Sequence, residues 1–402
     1  MYKYNLRIVD NVDDFLDAYL NDNHVLSDLA IDDINGPEDV FNIAQKGKKK
    51  DKKLEFLYAY YIINFGFNSW DINYAKSIYK KHAKKGDLQA QMYLGECYLN
   101  GLGFRKNRSK GIEWITLSAN GGFEPAQNNL GMMYSKGEYF EKDFDKAMFW
   151  YQKASEKNYG GAELNIGIAY TLGEGVNKDD EKSCYWFERA AKHGEPTAQY
   201  NYAVNLLNGI GCEKNKLEAL KLFKMAANNL NENAQYYLGK YYLFGKGKAY
   251  KPKKAAYYLE EAATAGHIDA SFLLALLYDD GEGVSKDKAM FIYFLDIAAK
   301  GGNPQALYLL GLCYLFGDGV SKDEYYAYDL ISVSANDGNI TANDILKIIK
   351  SKEFKKSVNF KNIETNNFGK YYHKLSKYQP ESKYDDDIDE LDDFILNHYW
   401  RF

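Results

Sequence analysis

The sequence predicts an all-α chain built as a solenoid of helix–turn–helix repeats. Three observations predict it: an alanine recurring every 36 residues, apolar columns that keep its phase, and paired glycines that end the first helix of each unit. The alanines are Ala90, Ala126, Ala162, Ala198, Ala234, Ala270, Ala306 and Ala342. With Ala filling about one position in ten, seven further hits in register would arise by chance on the order of once in 10⁷ trials.

Helix A of each unit carries this anchor. Four, five and eight residues later stand an aliphatic residue, a glycine and a tyrosine: Leu94, Gly95 and Tyr98, then Ile166, Gly167 and Tyr170, Leu238, Gly239 and Tyr242, and Leu310, Gly311 and Tyr314. Spacings of four and eight put anchor, aliphatic and tyrosine on one helical stripe, while the glycine admits a closely packed neighbour. Glycine pairs such as Gly101/Gly103, Gly173/Gly175 and Gly281/Gly283 then close the helix, because glycine adopts the left-handed conformation at little cost.

Helix B starts at a capping residue, Asn107, Asp143, Asp179, Asn215, Asp287 or Asp323, and runs about three turns. It carries Trp114, Trp150 and Trp186 in one column and alanine pairs such as Ala190-Ala191 and Ala262-Ala263 in another. The unit ends at Gly122, Gly194, Gly266, Gly302 or Gly338. One hairpin cannot cover its own apolar face, so the units must stack.

The run from Ala162 through Tyr170, Gly175 and Asp179 to Tyr185-Trp186-Phe187 and Ala190-Ala191-Lys-His-Gly194 closely resembles the Sel-1-like repeat, a relative of the tetratricopeptide repeat. The resemblance covers seven full units over 90–341 and a degenerate one at 54–89, where Ala75, Ala83 and Gly86 keep the phase. It implies a right-handed α-α superhelix that acts as an adaptor in protein complexes. The fourth unit departs with Tyr202, Ala203 and Leu206, and the second with Tyr139 for its second glycine. These exchanges keep size or apolarity, so local adjustment of the twist is expected.

Four segments follow: an N-terminal helical cap and basic loop (1–53), the repeat solenoid (54–341), a C-terminal capping helix (342–358) and a polar tail (359–402). The tail ends in an acidic stretch with Ile388, Leu391, Phe394, Ile395 and Leu396 interleaved, which reads either as an amphipathic helix seeking a groove or as a segment packing on the last repeats.

Composition excludes several functions. At a net charge of −5 the chain has no basic field to hold a nucleic-acid backbone. Neither a signal peptide nor a stretch of 18 or more apolar residues stands out, so no membrane role and a cytoplasmic location are expected. Cys97, Cys184, Cys212 and Cys313 form no C-x-x-C pair, no H-E-x-x-H motif occurs, and none of the G-x-G pairs continues into a P-loop. No metal, cofactor or catalytic constellation is predicted, and the chain reads as a non-enzyme.

The resemblance places on the concave face the columns two, six, nine and ten residues after the anchor. There stand Tyr200, Tyr236, Phe272 and Tyr308; Ile168, Val204, Leu276 and Leu312; Leu207, Leu243 and Leu315; and Phe244 and Phe316. Asn129, Asn165 and Asn201 form a further column able to hydrogen-bond a peptide backbone or to tie adjoining helices. A protein or peptide partner is therefore expected on Asn129, Asn165, Asn201, Tyr200, Tyr236, Phe244, Phe272, Tyr308 and Phe316, the alternative being self-association through the acidic tail.

Overall fold

All eight anchor alanines are 0% exposed, which explains why nothing larger occupies that column: the methyl sits where helix A is pressed between its neighbours. The computed structural model describes residues 69–245 and 247–350, with 55, 56 and 59. The segments 1–53 and 359–402, with the cap, basic loop and acidic tail expected there, lie outside the described residues.

Sixteen α-helices are present among the described residues, and no strand. They are α1 (Ser69–Lys84), α2 (Leu88–Asn100), α3 (Arg108–Asn120), α4 (Glu124–Lys136), α5 (Phe144–Ser155), α6 (Gly160–Leu172), α7 (Asp180–Lys192), α8 (Pro196–Asn208), α9 (Lys216–Asn228), α10 (Glu232–Phe244), α11 (Pro252–Thr264), α12 (Ile268–Asp280), α13 (Lys288–Lys300), α14 (Pro304–Phe316), α15 (Glu324–Asn336) and α16 (Ile340–Lys350). From α2 onward they alternate as helix A and helix B. The described residues form two compact units, one ending at Ala198 and one starting at Gln199. Within each, helices pack on their neighbours in the chain, and one helix A meets the next, as α4 does α6 and α10 does α12.

The glycine five residues after the anchor has a specific task. A Cβ added at Gly95, Gly131, Gly167, Gly239 or Gly311 would lie 2.4–2.7 Å from the side chain of Ile115, Tyr151, Phe187, Leu259 or Ile331. Each of these is the residue twenty positions later, on helix B of the same unit, so the glycine sets how deeply the hairpin closes.

The six expected caps all function: the side chains of Asn107, Asp143, Asp179, Asn215, Asp287 and Asp323 each accept a first-turn backbone N–H. In the fifth unit Lys251 takes that place and makes no capping bond, and Pro252 at the first helical position sets the start of α11 instead. Gly245 and Gly247, a further glycine pair at which the sequence predicts a left-handed helix end, depart in part: φ at Gly245 is −65, and a short 3₁₀ turn, Gly247–Ala249, follows it. At the unit ends Gly122, Gly194, Gly266, Gly302 and Gly338 have φ between 85 and 96, and Asn158 and Leu230 adopt the same conformation at φ 61 and 60.

One column escaped the sequence reading. The glutamine next to the anchor reaches back eight residues: Gln91, Gln127 and Gln235 donate Nε2–H to the carbonyls of Ala83, Ala119 and Ala227 at 3.1–3.2 Å. Each bond adds a side-chain donor to a carbonyl in the last turn of the preceding helix that also accepts the backbone N–H three residues on, and so fastens one unit to the next.

Candidate functional site

The residues expected to bind a partner all lie on helix A of their units, and the structure sorts them by depth. Tyr236, Phe272 and Tyr308 are 9%, 7% and 7% exposed and belong to the core of the second unit. Tyr200, Phe244, Phe316, Asn129, Asn165 and Asn201 remain half-buried.

In the first unit the asparagines are engaged with the preceding repeat. Asn129 donates Nδ2–H to Glu96 Oε1 at 2.9 Å, and Asn165 donates to Asn128 Oδ1 at 2.8 Å. Glu96 stands six residues after its anchor, where Ile168 is found two units later. Burial pushes its carboxyl up to about 7, against the lowering effect of the Asn129 hydrogen bond.

An acid whose folded value lies above its unfolded one contributes stability that is intact at low pH and lost as pH rises between the two. We therefore expect Glu96→Gln to unfold at the same temperature as the parent near pH 4 and at a higher temperature at pH 8. Melting curves at both pH values check this, and a parallel loss in the variant would refute it.

In the second unit the expected columns converge. Tyr200 and Tyr236 from the second position, Val204 and Lys240 from the sixth and Leu207 from the ninth line one pit, joined by Phe223, Asn233 and Tyr237. The rings are ordered: Tyr237 stacks on Phe223 at 3.7 Å, Tyr200 meets Phe223 edge-on at 5.7 Å, and Tyr236 stacks on His267 at 4.2 Å. Burial pushes the Tyr200 hydroxyl up to about 12, so it stays protonated and able to donate.

Phe223, Asn233, Tyr237 and Lys240 are members of this site that the sequence columns did not name, and Lys240 is the charged one. It is 4% exposed, with its ammonium 5.2 Å from the Tyr236 ring centroid. Burial pulls its pKa down to about 8 although Asp269 opposes the shift. The signal was available, since Val204, Leu276 and Leu312 make the same column aliphatic and a lysine interrupts it.

A second cluster, also unforeseen, surrounds Glu163 in the first unit. Its side chain is 0% exposed; Arg189 Nη2 lies 2.7 Å from Oε1 and His193 Nδ1 lies 2.6 Å from Oε2. Glu163 occupies the column that holds glutamine in most other units, so an ion pair replaces the glutamine bridge here.

Among the described residues no group of three or more His, Cys, Asp or Glu is placed to hold a metal ion. Cys97 and Cys313 are buried thiols pushed up to about 12, which suppresses the nucleophilic thiolate. No helix among the described residues is long and apolar enough to cross a membrane.

Comparison with known proteins matches this geometry to one family. The profile described as Sel1 repeat matches seven times, at residues 88–123, 124–159, 161–195, 196–229, 233–267, 268–303 and 304–339, together more than half of the chain. A Sel1 repeat protein from Oxalobacter formigenes is similar in structure, with 26% identity and a TM-score of 0.54 over 81% of this chain and 99% of that one. A protective antigen present in uropathogenic Escherichia coli strains, displaying an SLR fold, matches at 24% identity and TM-score 0.44 over 79% of this chain and 82% of its own. An immunity protein from Pseudomonas aeruginosa matches at 19% identity and TM-score 0.39 over 53% and 81%. No curated protein matches. With seven matched repeats, and hairpins that follow the same phase from Leu88 onward, the chain belongs to the Sel1 repeat family.

Proposed function

We propose that the chain is a non-catalytic cytoplasmic adaptor that binds a peptide or helix of a partner protein along its helix A face. Sel1 repeat proteins in general mediate protein–protein interaction. One observation carries the finer reading: the second, sixth and ninth columns, from two successive A helices, meet in a single aromatic pit at Tyr200, Val204, Leu207, Tyr236 and Lys240. Such a pit accepts an apolar anchor residue, and Tyr200 and Lys240 supply hydrogen-bond donors beside it. The four cysteines stand as thiols, which suits a reducing compartment.

Tyr236 and Phe272 are too deeply packed to serve as probes, since a charge there would disturb the core. The test uses the half-buried wall instead. Tyr200→Ala with Val204→Asp is expected to abolish affinity capture of the partner from lysate while leaving helicity unchanged. Tyr325→Ala, at a side chain 89% exposed and outside the pit, is expected to leave capture intact. The same captured proteins in the pit variant would sink the reading.

Lys240 also favours a second reading, in which the acidic segment near the C-terminus docks in the groove of its own chain or of a second copy, the carboxylates meeting that ammonium. Sedimentation of the chain with and without residues 380–402 tests it. An unchanged mass together with unchanged reactivity of the pit would exclude it.

A further inference from the structure

The two units contain the same position solved in two ways. In the first, the buried carboxylate of Glu163 is met by the Arg189 guanidinium, which also donates to Asn158 Oδ1 at 3.2 Å. The guanidinium carbon lies 4.9 Å from the Trp186 ring centroid and 6.0 Å from that of Tyr185, two rings set edge-on to each other. This is a cation held between an acceptor and two aromatic faces.

Two periods later the acceptor column holds Gln235, the aromatic pair is Tyr257 and Tyr258, and Leu230 stands in the place of Asn158. The rings keep their arrangement, 5.2 Å apart at 69°. What changes is the cation: Glu261 replaces Arg189, and Ala265 replaces His193. A pit of about 200 Å³ opens where the guanidinium would stand, lined by Gln235, Tyr257, Tyr258, Glu261 and Leu230 among others. That is many times the roughly 10–15 Å³ that one water centre requires.

Three observations give the pit a preference. Gln235 is 3% exposed, lines the pit, and its Oε1 accepts no hydrogen bond from the chain. The same oxygen is unsatisfied in Gln91 and Gln127, so the orphan acceptor alone is a trait of the repeat, and the pit that Gln235 lines is the further observation at the fifth repeat. Glu261 forms no ion pair among the described residues and adds a negative charge to the wall. Tyr257, 57% exposed, leaves a ring face open to an arriving group.

Acceptor, carboxylate and paired rings together are the complement of a guanidinium. We propose that this pit binds an arginine side chain of a partner protein, taking from outside the group that Arg189 supplies from within two repeats earlier. A guanidinium entering here would donate to Glu261 and lie against Tyr257 and Tyr258, with the Gln235 side chain in the wall beside it. None of the residues lining the pit around Lys240 takes part, so this site stands whether or not a peptide binds there.

The test uses the full chain with acetyl-Gly-Arg-Gly-amide and the same peptide carrying citrulline, which keeps the shape and removes the charge. The arginine peptide is expected to bind at least tenfold more tightly, with an affinity that falls as salt rises. Glu261→Arg with Gln235→Glu rebuilds the internal pair of the first unit and is expected to weaken binding at least tenfold, without loss of helicity. Tyr257→Ala, at an exposed position, is expected to weaken it comparably and serves if the double variant does not fold. Equal affinity for both peptides, or undiminished arginine binding by Tyr257→Ala, overturns the proposal.

Discussion

Replacing Gly283 by alanine is expected to lower the opening free energy of α11 and α12 by about 2–5 kcal/mol, against about 1–2 kcal/mol for Gly302→Ala. Both glycines are left-handed, at φ 76 and 86, so each alanine carries the same backbone penalty. The surroundings differ. Around Gly302 nothing lies within 4 Å of the new methyl, whereas at Gly283 it would stand 2.2 Å from the Pro252 carbonyl oxygen and 2.5 Å from the carbonyl carbon. A backbone carbonyl in the first turn of α11 cannot swing aside as a side chain can, so the loop after α12 must lift off the preceding unit. Native-state hydrogen exchange, on α11 and α12 for Gly283→Ala and on α13 and α14 for Gly302→Ala, reads the two losses separately. Equal effects would mean that this close approach is not kept in solution.

The second large effect concerns Glu163. Arg189→Ala leaves a fully buried carboxylate with His193 as its remaining ionic partner, and removing one member of a buried pair costs about 3 kcal/mol. Adding Glu163→Gln is expected to recover most of that loss. A neutral amide at this position can form the backward bond to a carbonyl eight residues earlier that Gln91 and Gln127 already make. The two substitutions are thus strongly non-additive, the signature of a direct interaction. Denaturation followed by tryptophan fluorescence suits the measurement, because Trp114, Trp150 and Trp186 all lie in this unit and Trp186 packs against the guanidinium. Additive losses would show that the ion pair contributes little beyond its separate parts.

These effects mark the boundary between what can and cannot be read from one sequence. The period, the helix pair, the asparagine and aspartate caps and the glycine ends are legible because each depends on residues close in the chain, and seven units repeat the same solution. Lys251 and Gly245 show the limit even there: one unit lost its cap and one glycine left the left-handed region, with Pro252 directing the start of the next helix instead.

Side-chain fate is a different matter. Tyr236, Phe272 and Tyr308 belong to one column with Tyr200, yet three are buried and Tyr200 is half-exposed, because the neighbouring repeat, not the column, decides what is covered. The pit around Lys240 and the pit beside Tyr257 likewise arise from substitutions that mean nothing until two helices are placed side by side. The family, the repeat length, the glycine ends of the A helices and the capped starts of the B helices follow from the chain itself, through short-range hydrogen bonding and periodic apolarity. Which acceptors are satisfied, which charges are buried and where a pit is left open emerge only once the helices are packed, since those depend on contacts between residues about thirty positions apart.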